Sequence, residues 1–165
     1  MQRTFTPPVH LAPMEYCAGS GGIGEKMNLS EAKIIAGRRL LDELVRTNAE
    51  VAAALWVLFP DIQSWKLGFL ISDVEGPREA YKIIQKALSS LGEQMEKPGL
   101  DEVILFKREA SLLQLLSFVM KTPNNVTISM SLAGNVVNGQ LLPDCHIYRL
   151  NIERTPARSA TASAK

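Results

Sequence analysis

The sequence predicts an α+β domain, with three helices packed on a mixed or mostly antiparallel sheet. Two observations carry that expectation. Apolar residues recur at helical spacing in three segments and at strand spacing, or in short apolar runs, in five others. Their order is α-β-β-α-β-α-β-β. The first two strands are joined by the short turn Pro60-Asp61-Ile62-Gln63-Ser64, which makes them a hairpin and not a parallel crossover pair.

The elements follow in chain order. The first helix opens at Asn28-Leu29-Ser30-Glu31, where Asn28 and Glu31 have capping-box spacing. Ile34, Gly37, Leu41, Leu44 and Val45 share one face, Arg38 and Arg39 lie on a solvated one, and Thr47-Asn48 ends the helix. Val51 to Phe59 holds three alanines that also suit a helix, but it is read as a strand. Being apolar on both sides, it is expected at the centre of the sheet, covered on both faces. Trp65 to Ile71 is its hairpin partner. Gly76-Pro77 starts the second helix, with proline where its missing N–H does no harm. Ala80, Ile84, Ala87, Leu88 and Leu91 form its buried stripe, and Gly92 lies near its end. Val103 to Phe106 is a short strand. Ser111 is read as the cap of a third helix that buries Leu112, Leu115, Leu116 and Val119. Val126 to Leu132 alternates strictly between apolar and polar residues, Asn138-Gly139 is a strong turn dipeptide, and Cys145 to Leu150 is the last strand.

At 165 residues, with 46% hydrophobic and 21% charged content, the chain has material for one real core. The expected organisation is a disordered leader at residues 1–26, a single α+β domain at 27–150 and a disordered tail at 151–165. Neither end carries an apolar period. A net charge of +1 supplies no field to attract nucleic acid or an anionic membrane. The longest apolar run, Val51 to Phe59, is too short for a membrane span. Pro7, Pro8 and Pro13 interrupt any signal-peptide core. Two cysteines, Cys17 and Cys145, make no disulfide framework, so a reducing, cytoplasmic setting is expected.

Chemistry-bearing motifs are few. Gly19-Ser20-Gly21-Gly22-Ile23-Gly24 satisfies G-x-G-x-x-G and is similar to the glycine loop of S-adenosylmethionine-dependent methyltransferases. Such a loop needs a buried strand before it and a helix after it. Pro7 to Cys17 is a poor buried strand, and Glu25-Lys26-Met27 supplies no Lys-Ser/Thr pair for a phosphate loop. His10, Cys17, Cys145 and His146 have no metal-ligand spacing. Asp73 and Glu75 follow a strand, but they also precede a helix, where acids favour the macrodipole. Trp56 and Trp65 read as core packing. No cofactor, no metal and no catalytic residue is therefore expected.

The succession Ala54-Leu55-Trp56, Trp65-Lys66-Leu67, Gly76-Pro77-Arg78-Glu79-Ala80-Tyr81, Gly134-Asn135-Val136-Val137-Asn138-Gly139 and His146-Ile147-Tyr148-Arg149-Leu150 resembles a group of small uncharacterised bacterial proteins. The resemblance covers residues 28–150. It supports those domain limits and brings no activity with it.

The leading functional expectation is a non-enzymatic module that binds a protein partner or a second copy of itself. The alternative is an enzyme binding S-adenosylmethionine or a nucleotide through Gly19–Gly24. If the last two strands pair through Asn138-Gly139, then Thr127, Ser129, Ser131, His146 and Tyr148 share one polar face. That face is expected to be a wet sheet surface or a docking patch.

Overall fold

A computed structural model describes residues 28–154. Its centre is β1, Glu50–Phe59, paired antiparallel with β2, Ser64–Ser72, from Glu50↔Ser72 to Phe59↔Ser64. None of the residues from Ala53 to Val57 is more than 1% exposed. A segment apolar on every side is buried most fully as a strand with both faces covered, and three helices provide the cover. The helices α1, Glu31–Arg46, and α2, Pro77–Ser90, close one face over Ala54, Trp56, Leu67 and Phe69. The third, α3, Ser111–Val119, lies with Leu113 and Leu116 over Ala53, Leu55 and Val57 on the other face.

The remaining strands are β3, Val103–Leu105; β4, Met130–Leu132; β5, Val136–Val137; β6, Gln140–Leu141; and β7, Cys145–Leu150. The main sheet runs β3-β2-β1-β7-β4, and β5 and β6 form a separate two-stranded ribbon. Only β3 is parallel to its neighbour, because α2 carries the chain over the sheet between β2 and β3. This is the expected α+β class, with a mixed sheet and the expected order of main elements.

Several local expectations need correction. Ser30, not Asn28, caps α1: its side chain accepts the Lys33 N–H at 3.2 Å. The buried face of α1 is Ala36, Gly37, Leu40, Leu41 and Leu44, while Ile34 and Val45 are only half-buried. In α3, Ser111 is the first helical residue and makes no side-chain cap. The buried residues there are Leu113, Leu116 and Ser117; Val119 is 43% exposed. A helix apolar on nearly every side has no polar stripe to fix its rotation, so periodicity does not choose the inward face. α2 buries Ala80, Ile84, Ala87 and Leu88 as expected, but Leu91 is its C-cap and only half-buried, and Gly92 follows at φ 77°.

The last third departs furthest. Only Met130–Leu132 of the alternating run forms a strand, and Asn138-Gly139 does not join it directly to β7. Asn138 (φ 50°) and Gly139 (φ 75°) instead close the β5–β6 hairpin, which is inserted between β4 and β7. Packing also continues past Leu150: Ile152 is 3% exposed in the second core cluster.

Candidate functional site

Along β7, Cys145 and Ile147 face the core under α3, and His146 and Tyr148 face the opposite side, as alternation requires. β4 pairs antiparallel with β7 through Met130↔Ile147, Ser131↔His146 and Leu132↔Cys145. That register brings four of the five expected residues together. Ser129 Oγ lies 2.9 Å from His146 Nε2, and Ser131 Oγ lies 2.7 Å from Nδ1. One hydroxyl donates to the bare ring nitrogen and the other accepts the ring N–H. The Tyr148 ring meets the imidazole edge-on at 5.1 Å. Thr127 stands apart, accepting from Arg149 Nη2 at 3.3 Å.

The patch is not the wet five-residue surface that the pattern allows. His146 is 5% exposed and Tyr148 fully buried under α1, where its hydroxyl donates to the Ile34 carbonyl. Only Ser129 and Ser131 are exposed. Burial holds the His146 imidazole below its ordinary range, because the charged ring loses solvation there. Burial likewise pushes the Tyr148 phenol up, and the Trp56 hydrogen bond and the charge of Arg38 only partly oppose it. Each ring nitrogen of His146 meets a serine and not a carboxylate, so the pair lacks the orienting acid of a serine triad. What the cluster does is pin two edge serines to a fixed ring.

Those serines lie at one of the two edges of the sheet, along the β4 segment. The Leu58 N–H donates to the Asp144 carbonyl, so before the register shift Asp144 and His146 bond toward β1. Cys145 and Ile147 therefore bond to Leu132 and Met130. By alternation, the peptide groups of Ser129 and Ser131 point away from β7. Among the described residues no strand pairs with that side. Exposed apolar side chains lie on the same part of the chain: Val126 and Met130 on the β4 segment, and Val136 (64%) opposite Leu141 (71%) on the hairpin. The sequence reading missed this hairpin face. Its signal was the strong turn Asn138-Gly139 between two apolar pairs.

Other expected features fall as follows. Trp56 and Trp65 are core residues, 0% and 9% exposed. Asp73 and Glu75 are exposed, and it is Glu79 in the first turn of α2 that accepts the Glu75 N–H at 3.3 Å. Cys145 is a buried free thiol. Among the described residues, no group of three or more His, Cys, Asp or Glu side chains is placed to hold a metal, and no helix is long and apolar enough to cross a membrane. Gly19–Gly24, His10 and Cys17 lie outside the described residues, as does most of the tail.

The fold and site together define an α+β domain with a helix-covered sheet whose edge strands among the described residues are β3 and β4, the site lying at β4. Comparison with protein-family models, curated proteins and solved structures returned no match for this chain.

Proposed function

We propose that this chain is a non-enzymatic interaction module whose contact surface is the β4 edge together with the β5–β6 hairpin. A second copy of the chain is the simplest occupant. Two identical antiparallel edges are complementary in backbone hydrogen bonding, as an isologous two-fold contact requires. The observation that carries this reading is the outward direction of the Ser129 and Ser131 peptide groups, beside the exposed pair Val136 and Leu141. An unpaired edge with apolar flanks is a template for strand addition. The two bonds from His146 hold the serine side chains back, leaving the backbone as the recognised element. A reducing, cytoplasmic setting belongs to the same proposal and suits the free Cys145 thiol.

The test is solution mass against concentration for the full chain and two variants. Ser131→Pro removes one outward N–H and leaves the bonds from Met130 and Leu132 to β7 in place. The double variant Val136→Lys with Leu141→Lys charges the hairpin face. The parent should shift toward dimer as concentration rises, and both variants should stay monomeric with unchanged circular dichroism. A parent that remains monomeric at millimolar concentration, or variants that associate as it does, would overturn the reading.

A further inference from the structure

At the end of the sheet where α1 hands over to β1, a groove of about 840 Å³ opens. Arg149 forms part of its wall although the residue is only 4% exposed. Simple alternation along β7 would have placed Arg149 with Cys145 and Ile147. Leu150 takes that place instead, because the register against β1 slips between Leu55↔Ile147 and Ala54↔Arg149 and leaves Tyr148 as the extra residue. A bulge of this kind re-aims the side chain beside it.

The guanidinium then meets only neutral acceptors. Nε donates to the Val126 carbonyl at 3.3 Å, Nη1 to the Val51 carbonyl at 3.4 Å and Nη2 to Thr127 Oγ1 at 3.3 Å. All three are longer than ordinary N–H···O bonds, and a guanidinium has further donors to place. Among the described residues no carboxylate forms an ion pair with it. Burial disfavours its charge, and the field of Asp42 only partly opposes that. A buried cation without an anion is costly, and tying three backbone segments together does not require a charge.

The rest of the groove suits a polar ligand. Asn48, Asn124, Asn125 and Asn151 contribute amides, and the exposed Arg108 adds a second cation. Glu50 and Glu153 also line it, so two cations are balanced by two acids, and Glu153 is already engaged by Lys121 at 2.6 Å. That balance disfavours a polyanion.

We propose that this groove binds a small polar molecule bearing a single carboxylate or phosphate group, which rests on Arg149 with Arg108 beside it. The group supplies the missing counter-charge, and the amides bond the rest of the molecule.

The probes are inorganic phosphate and acetate, titrated separately into the isotopically labelled full chain at constant ionic strength, with chloride as control. The Arg149 Nε–H signal should shift saturably with at least one probe and not with chloride. Phosphate alone would assign a phosphate ester, and acetate alone a carboxylate. Arg108→Ala should weaken binding several-fold with its melting temperature unchanged, since its own bond to Ser72 Oγ is long and exposed. Arg149→Lys, followed at the backbone amides of Asn125 and Asn151 in the same groove, should lose the saturable shifts that those amides show in the parent. The proposal is overturned if neither probe moves the Arg149 signal saturably. Equal binding by the Arg108→Ala variant and the parent would also overturn it.

Discussion

The indole N–H of Trp56 donates to the Tyr148 hydroxyl at 3.1 Å, linking the middle strand to its neighbour beneath α1. The same hydroxyl donates a hydrogen bond to the Ile34 carbonyl, so one buried oxygen joins β1, β7 and a helix. This is possible only because α1 comes close at Gly37. A Cβ there would lie 2.5 Å from Trp56 Nε1 and 2.8 Å from the Tyr148 oxygen.

Two substitutions test that junction. Tyr148→Phe leaves the buried Trp56 N–H without its acceptor and takes from the Ile34 carbonyl the donor it has besides the helix, and should cost about 1–3 kcal/mol. Gly37→Ala gains about 1 kcal/mol of helix propensity. It must also push apart two rings fixed in the core, at a cost of about 1–3 kcal/mol, so the net effect should be destabilising. Urea midpoints at unchanged slope measure both. A stabilised Gly37→Ala would show that α1 can shift outward freely.

The two faces of β1 should be equally intolerant. Leu55→Ala empties the core under α3 and should cost about 2–5 kcal/mol, and Trp56→Ala on the opposite face about 3–5 kcal/mol. Equilibrium denaturation of both variants checks this. A tolerant member of the pair would mean that one face of the strand is uncovered.

Much of this architecture was legible because it rests on long patterns. Val51 to Phe59 is apolar on both sides, and that alone places it centrally. The Val126 to Leu132 alternation misled for a reason beyond its own residues. The ladder to β7 follows one register from Leu132 to Met130, but the Ile128 N–H bonds to the Tyr148 carbonyl, one residue out of that register. The extra residue at Tyr148 interrupts the ladder, so a seven-residue pattern yields a three-residue strand. His146 and its two serines were identifiable from alternation. The burial of Tyr148 was not, because it depends on how closely α1 approaches. Arg149 was invisible for the same reason as the short strand: a bulge leaves no mark in hydrophobic periodicity.

Cys145 should be chemically silent. Burial, aided by the charge of Asp144, pushes its thiol up to about 12, so at pH 8 it carries essentially no thiolate. In a Cys17→Ser background, a disulfide reagent should leave the native protein unlabelled and modify one thiol once urea unfolds it. Fast labelling without denaturant would contradict the burial of β7.

The burial of His146 sets the sign of a pH dependence in the chain. Its imidazole is held below the ordinary value of 6.5 by loss of solvation. In the unfolded chain it takes a proton near that value; in the folded chain it resists. The unfolded state therefore binds more protons in this window, and stability falls as the pH drops below about 6.5 toward the folded value. The serines do not oppose protonation, since a hydroxyl can turn to accept from either ring nitrogen. Desolvation is the cause. Glu43, bonded to Arg46, and Glu153, bonded to Lys121, are held below 4.5, so their losses begin at lower pH and are separable. Thermal melts of the parent should decline between pH 7 and 5, and His146→Gln should flatten that limb while leaving the acid limb. Proton NMR of the ring, with His10 replaced so that a single imidazole remains, should give a midpoint below 6.5. A midpoint at or above 6.5 would mean the ring is hydrated and the β4 edge stands open over it.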